Sequence, residues 1–303
     1  MPRWYQNTAR GSRAGGLKGW DPNAPPGYRA AMPEPVLLHS ALLRDIGVPH
    51  AFTTRIGGAS AGIFASLNFG NPGDMPPEQR DPASTIRRNF ELVLAAMGRP
   101  EARLVQVHQV HGPEVAVADQ QTWPGPPAAP IRPDPKADAV ITRDPQLVLA
   151  VRIADCAPIL LSTPEGGAVG AVHAGWRGVI SGVLPRAIER LADLGGVPAS
   201  SITAAIGPCI GPGAFEVGPE VVEQFDAAFP DEPGVIARRT PDGKGFVDLQ
   251  LALVVQARRA GLVRIERLAR CTASEPEWFF SHRRDAGRTG RMAALIAARP
   301  ARS

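Results

Sequence analysis

The sequence predicts an α+β domain built on a mixed β-sheet or β-sandwich, and three observations carry that prediction. Short β-branched runs crowd the stretch from Val105 to Val172, each bounded by Pro, Gly or Asp. The longer helical patterns lie on either side of that stretch instead of alternating with its strands, which disfavours a doubly wound parallel sheet. The chain has 303 residues, 44% of them hydrophobic and 20% charged, enough to enclose a sizeable core.

Taken in order, residues 1–33 mix Gly, Pro and Arg with isolated Trp4, Tyr5 and Trp20, a pattern without apolar periodicity that predicts a flexible extension. Residues 34–303 are then expected to form one catalytic domain. Its first helix spans Ser84 to Met97, where Ile86, Phe90, Leu92, Val93 and Met97 recur at helical spacing and Gly98 and Pro100 supply a stop. Strands are predicted over Val105–Val110, Ala139–Thr142, Leu147–Ile153, Ile159–Ser162 and Ala168–Val172. Between the first two, residues 120–136 carry Pro124, Pro126, Pro127, Pro130, Pro133 and Pro135, which forbids regular helix and reads as an insertion loop. Helices follow over Gly178–Leu194, Pro219–Phe229 and Leu249–Ala260, and Met292–Ala297 reads as a closing strand.

Composition excludes several classes. No apolar run reaches the roughly 18 to 20 residues a membrane span needs. Arg3, Arg10, Arg13 and Lys18 near the start are followed by no apolar segment, so a secretory signal is not expected. Three widely spaced cysteines without a CxxC pair argue against a disulfide framework and fit a reducing, cytoplasmic setting. The balance of 33 basic against 29 acidic residues gives a net charge of only +4, with no zinc-finger spacing and no aromatic-rich basic motif; a phosphate-bearing or otherwise anionic small molecule accounts for it equally well.

The chemistry concentrates at the ends of three apolar runs: LVQVHQVHG at His111, LVLAVRIADCAP at Cys156 and GAVGAVHAGWRG at His173. The chain has only 6 His and 3 Cys, so this grouping of metal-grade donors stands out. Strand alternation puts His108 and His111 on opposite faces, and His111, beside Gly112 and Pro113, is the one placed where a chain turns. Each donor also has an ordinary alternative: a satisfied structural histidine, or a cysteine acting as a small buried hydrophobe. Asp155 beside Cys156 suggests a polar pocket able to hold a thiolate. Arg177, four residues after His173 and just inside a helix start, is placed to cradle an anion with the free backbone N–H groups there, while Trp176 reads as a core plug.

Thiolate and imidazole together suit zinc, and three protein ligands leave a fourth position for water or substrate. Such a site can acidify water for attack on an electron-poor carbon such as C6 of adenine, with loss of ammonia. The spacing matches neither HExxH nor HxE…PCxxC. Two other uses of the same residues stay open. Without a metal, Cys156 would be a nucleophile and His173 its base, hydrolysing an amide; with a fourth protein ligand, for which only His108 and Asp155 offer themselves, the zinc would be structural.

The set QVHG, RIADCAP, VHAGWRG, IGPCIGPGAFEVG and FFSHRRD…TGR resembles the laccase-domain (YfiH-like) family, also called the polyphenol oxidase or purine nucleoside phosphorylase family, from about Phe52 to about Ala297. FTTRIGGAS, SLNFG and GD extend the likeness and give Arg55, Asn68, Asp74 and Asn89. The resemblance implies an α/β/β/α sandwich and a zinc held by His111, Cys156 and His173. It implies phosphorolysis of adenosine, inosine and 5′-methylthioadenosine, adenosine deamination, and an older attribution of copper-dependent phenol oxidation. A multicopper centre needs more histidines than this chain owns, so Cu²⁺ is the lesser expectation. Relatives are also named peptidoglycan editing factors, and the sandwich resembles toxin deamidases with a Cys–His dyad. For phosphorolysis the expected catalytic residues are Cys156, Arg55 and Arg177, with Asn68, Arg283 and Arg284 binding substrate; nucleoside and phosphate are the partners, in a monomer or homodimer. His282 stands where the family commonly has Tyr, and Gly213 or Ala214 where it usually has a further Cys. Cys209 and Cys271 are therefore expected to pack or to line a wall.

Overall fold

A computed structural model describes residues 34–119, 121, 123 and 135–300. The expected extension over 1–33 and most of the insertion loop over 120–136 lie outside the described residues. The strands are β1 (Leu37–Leu38), β2 (His50–Thr53), β3 (Arg103–Val105), β4 (Val115–Val117), β5 (Ala139–Thr142), β6 (Leu147–Ile153), β7 (Ala157–Ser162), β8 (Val169–Ala174), β9 (Thr203–Ile206), β10 (Glu216–Val217), β11 (Ile236–Arg239), β12 (Gly245–Val247), β13 (Arg264–Arg267) and β14 (Met292–Ala297). The helices are α1 (Ala41–Asp45), α2 (Ala83–Ala96), α3 (Trp176–Ile180), α4 (Val183–Gly195), α5 (Pro219–Ala228) and α6 (Leu249–Arg259).

Two mixed sheets form the sandwich, one ordered β1-β2-β14-β6-β3 and the other β13-β9-β7-β8-β5-β4; β10, β12 and β11 make a small third sheet. β6 and β14 are buried almost throughout, as their unbroken apolar runs require of strands covered on both faces. Leu149, Val151, Ala294 and Ile296 from one sheet meet Val140, Leu160, Ala171 and Ala205 from the other in a shared core. Phe90, Val93 and Leu94 of α2 cover the outer face of the first sheet. Residues of α3 to α6 cover the outer face of the second, so the order of layers is α/β/β/α, as the resemblance implied.

Three local differences from the sequence reading bear on the site. The predicted strand Val105–Val110 stops at Val105, because Gln109 takes over its pairing with β6: the carboxamide accepts from the Arg152 N–H at 2.9 Å and donates to the Arg152 C=O at 2.7 Å. A side chain thus completes the ladder, and the backbone is freed to loop. The predicted helix Gly178–Leu194 is two helices, divided at Ser181–Gly182, where Gly182 has φ +78, a conformation that breaks the helical path. Pro158, outside the predicted strand Ile159–Ser162, lies within β7; as the second residue of the strand it needs to donate no ladder bond there, and its C=O accepts from Gly207 N at 2.8 Å.

The sheets approach closely at Gly207, just past β9. A Cβ there would stand 2.3 Å from the Phe52 ring and 2.9 Å from Pro158. Gly207→Ala is expected to lower the unfolding free energy by about 1–3 kcal/mol through overpacking. Urea denaturation measures this, and an unchanged midpoint would show that the interface has room to spare.

Candidate metal centre

β6 belongs to one sheet and β7 to the other, so the three residues between them, Ala154, Asp155 and Cys156, carry the chain across the sandwich. Asp155 makes this corner at φ +91, a strained value for a residue with a Cβ. Its side chain is fully engaged in holding the turn: Oδ1 accepts from Thr272 Oγ1 and Oδ2 from Arg283 N, each at 2.6 Å. The corner presents Cys156 beside the end of β8, where His173 stands on the neighbouring strand opposite Pro158.

His111 arrives by a different route. Because the strand ended at Val105, His111 lies in a turn at φ +61 and is delivered by that turn, not by the alternation that selected it over His108. The turn is fixed by Asp138, which is fully buried one residue before β5. Its carboxylate accepts from the N–H groups of Val110 at 3.0 Å, His111 at 2.9 Å and Gly112 at 2.7 Å, and from His173 Nδ1 at 2.8 Å. Its backbone C=O accepts from His173 N at 2.7 Å. One aspartate therefore sets the loop of one histidine and the ring orientation of the other. With Nδ1 of His173 donating to Asp138, Nε2 faces Cys156 and offers its lone pair to a metal once its proton is lost, the arrangement metal-ligating histidines use.

The donor atoms of His111, Cys156 and His173 lie within 4.8 Å of one another, and the two imidazoles meet edge to face with centroids 4.9 Å apart. Cys156 Sγ is 3.8 Å from His111 Nε2. A tetrahedral zinc with bonds of about 2.0–2.3 Å places neighbouring ligand atoms roughly 3.5 Å apart, so the triangle fits such an ion with small adjustment. Gly175 makes the approach feasible, since a Cβ there would stand 2.9 Å from both Cys156 Sγ and the His111 ring. The two conceivable fourth ligands are absent from the group: Asp155 is spent on its own turn, and no donor atom of His108 joins the three.

The electrostatics favour a thiolate. Burial alone pushes the Cys156 thiol up, but the charge of His173 and hydrogen bonding with both histidines outweigh it and bring its pKa down to about 6. Burial pushes His173 down, and Cys156 and Asp138 more than offset it, raising it to about 9. Asp138 is held below the usual carboxylate range, because His173 and the backbone N–H groups overcome its burial.

The three donors line one side of a cavity of about 570 Å³, in the range of small-molecule sites. Arg177 and Arg283 from the sequence reading line it, as does His282. Arg177 lies over the partly buried Trp176 ring at 4.4 Å, so Trp176 serves both core and wall. Arg283 is anchored to Glu216 O at 2.8 Å. Two other nominated arginines stand elsewhere. Arg55 spends its guanidinium on the carbonyls of Ala65 and Pro276 and stacks on Phe280; Arg284 binds the carbonyls of Thr272 and Phe279 and pairs with Asp285. Both fasten the C-terminal segment and do not reach the cavity. Asn68 is fully buried behind the wall, where it accepts from Gly70 N and Arg291 N, and Asn89 supports it in turn. Cys209 is buried, and Cys271 accepts from Gly211 N, as packing residues should. Sequence reasoning missed Asp138, Arg152, Arg291 and Gln109. Only Asp138 left a signal, a lone acid opening the AVIT strand run.

A sandwich whose sheet-crossing corner brings a thiolate to two imidazoles beside a cationic cavity defines a class of site-bearing α/β/β/α protein. The sequence profile of the family described as multi-copper polyphenol oxidoreductase laccase matches residues 49–299, and the chain belongs to that family. It is 38% identical over 253 residues to the purine nucleoside phosphorylase of Deinococcus radiodurans, covering 83% of this chain and 90% of that protein. It is 38% identical over 251 residues to the purine nucleoside phosphorylase YfiH of Shigella flexneri, covering 82% and 93%. The crystal structure of YlmD from Geobacillus stearothermophilus superposes with a TM-score of 0.73 at 33% identity, over 84% of this chain and 93% of that one. No helix among the described residues is long and apolar enough to cross a membrane.

Asp138→Asn is expected to weaken zinc binding by about 10–100-fold, measured by competition with a chelator. In metal-free protein the alkylation rate of Cys156 should rise as pH passes about 6, because the thiolate is the reactive form and its pKa is lowered. In Asp138→Asn that rise should move to higher pH. Unchanged affinity and an unchanged alkylation profile would show that Asp138 does not organise the group.

Proposed function

We propose that the protein is a zinc-dependent purine nucleoside phosphorylase acting on adenosine, inosine and 5′-methylthioadenosine, with adenosine deaminase activity at the same site. The observation that carries this reading is the pairing of a three-donor His–Cys–His group with a cavity lined by four arginines and one carboxylate, Asp155, whose oxygens are already engaged. The names of the relatives supply the substrate class.

In phosphorolysis an oxygen of phosphate forms a bond to C1′ of the nucleoside, the C1′–N9 bond breaks, and its electron pair leaves on the purine, which takes a proton. Developing negative charge on the base and the charge of phosphate both call for fixed cationic groups in a water-poor cavity. Arg177 and Arg283 face the cavity for that purpose, while the aromatic and apolar wall of Trp176, Phe215, Ile210 and Leu249 suits a purine ring. His111, Cys156 and His173 would hold the zinc, which supplies Lewis-acid character at that end of the cavity when bound. His282, on the cavity wall, is available as a proton donor to the leaving base. Copper-dependent phenol oxidation fits less well: the described residues gather one three-donor group, and two of the remaining histidines, His39 and His50, pack against each other apart from it.

A specific observation also favours a metal-free reading. Cys156, His173 and Asp138 form a nucleophile, base and orienting carboxylate, with a lowered thiol pKa and a raised imidazole pKa, as cysteine amidases require. A peptidoglycan-precursor amidase would use that arrangement directly.

Incubation of the purified protein with adenosine, with and without phosphate, tests the reading. Adenine and ribose 1-phosphate that form only with phosphate, and inosine that forms without it, are the expected products. One zinc per chain, lost in Cys156→Ala together with activity, is the expected metal content. A metal-free protein that converts no nucleoside but loses amidase turnover on alkylation at Cys156 would overturn it.

A further inference from the structure

Arg152 and Arg291 line the cavity beside the metal-ligand group, and the sequence gives neither a role. Arg152 lies on β6, and Arg291 immediately precedes the neighbouring strand β14. Ala293 of β14 pairs with Arg152 of β6, so Arg291, two residues earlier, is the diagonal neighbour of Arg152 on the same face. Both side chains pack over Gly70: a Cβ there would stand 3.2 Å from Arg152 Nη1 and 3.5 Å from Arg291 Cγ. Like charges held side by side on neighbouring strands are unfavourable, and burial adds to the cost. Desolvation lowers the proton affinity of both guanidinium groups, and the charge of Arg291 lowers that of Arg152 further.

The charges of Cys156, Asp155 and Asp74 offset this only in part, acting on Arg291 without forming an ion pair with it. Among the described residues the Arg152 guanidinium has no hydrogen-bond or ion-pair partner, and that of Arg291 donates only to the carbonyls of Thr289 and Gly290, through Nη1. The surrounding structure nonetheless holds the pair firmly. Asn68 Oδ1 accepts from Arg291 N at 2.8 Å and from Gly70 N at 3.1 Å, and Gln109 grips both backbone groups of Arg152. Gln109 is also two residues from His111, so the position of Arg152 is coupled to the metal loop.

We propose that Arg152 and Arg291 form the seat of the inorganic phosphate co-substrate, with Asn68 and Gln109 as positioning residues behind them. This rests on the phosphorylase reading above and deepens it. Two neighbouring guanidinium groups offer forked donors to a tetrahedral oxyanion, which supplies the paired counter-charge that neither has in an ion pair. Asn68, expected from sequence to bind substrate, acts through Arg291 and Gly70.

Calorimetric titration of inorganic phosphate into the metal-free full chain, alongside steady-state kinetics of the zinc-loaded protein, tests the seat. Phosphate should bind the wild type, and Arg152→Gln and Arg291→Gln should each weaken binding and raise the phosphate KM by about tenfold or more, with the nucleoside KM changed less than about threefold. Arg152→Lys, which keeps the charge but not the fork, should fall between. In the wild type, phosphate should also protect Arg152 and Arg291 from phenylglyoxal, read by mass spectrometry, so the test does not depend on a variant that folds. Phosphate that binds without any nucleoside turnover supports the seat and removes the phosphorylase reading. Phosphorolysis with an unchanged phosphate KM in both Gln variants, or no protection of either arginine, overturns the seat and leaves that reading standing.

Discussion

The Asp138 carboxylate is the constraint on which the site depends. It gathers three consecutive backbone N–H groups and one imidazole N–H around two oxygens, in a position closed to solvent. A buried carboxylate is tolerated only with full hydrogen bonding, and here those bonds are made by the turn that carries His111 and by the His173 ring. The left-handed backbone of His111 costs on the order of 1 kcal/mol, which the N–H bonds to Asp138 offset. Local strain, ring orientation and donor geometry thus share one cause.

The sandwich supplies the rest. Because consecutive strands β6 and β7 belong to opposite sheets, the chain must cross between them, and the crossing places Cys156 where the end of β8 and the His111 loop converge. The same β6 carries Arg152 three residues before its end corner, and β14 brings Arg291 alongside. His173 and Arg152 are therefore mounted on paired strands of a well-packed core, and His111, Cys156 and Arg291 sit on short segments tied to it through Asp138, Asp155 and Asn68, which favours a fixed geometry for binding and catalysis.

Much of this was legible in the sequence because it depends on local chemistry. The apolar runs of β5, β6, β8 and β14 and the periodicity of α2, α5 and α6 are visible as patterns, and His111, Cys156 and His173 are scarce residue types at the ends of such runs. The failures share a physical origin: side chains that substitute for backbone. Gln109 pairs with Arg152 in place of a strand, so a β-branched stretch became a loop; Asp138 binds a turn 26 to 28 residues away, which no spacing rule reveals. Arginines are abundant, and only the three-dimensional partners distinguish Arg284, saturated with carbonyls, from Arg152, whose guanidinium lines the cavity with no hydrogen-bond or ion-pair partner among the described residues.

The family resemblance turned a set of donors into a reading of function, and the geometry gives that reading physical terms: a soft three-donor group oriented from behind by one carboxylate, opening on a cationic cavity. The most direct test is zinc K-edge X-ray absorption on the zinc-loaded full chain. One sulfur near 2.3 Å and two imidazole nitrogens near 2.0–2.1 Å, with a fourth light ligand that exchanges, are predicted by the arrangement of His111, Cys156 and His173. A spectrum without a sulfur shell, or with four tightly held protein ligands, would contradict it.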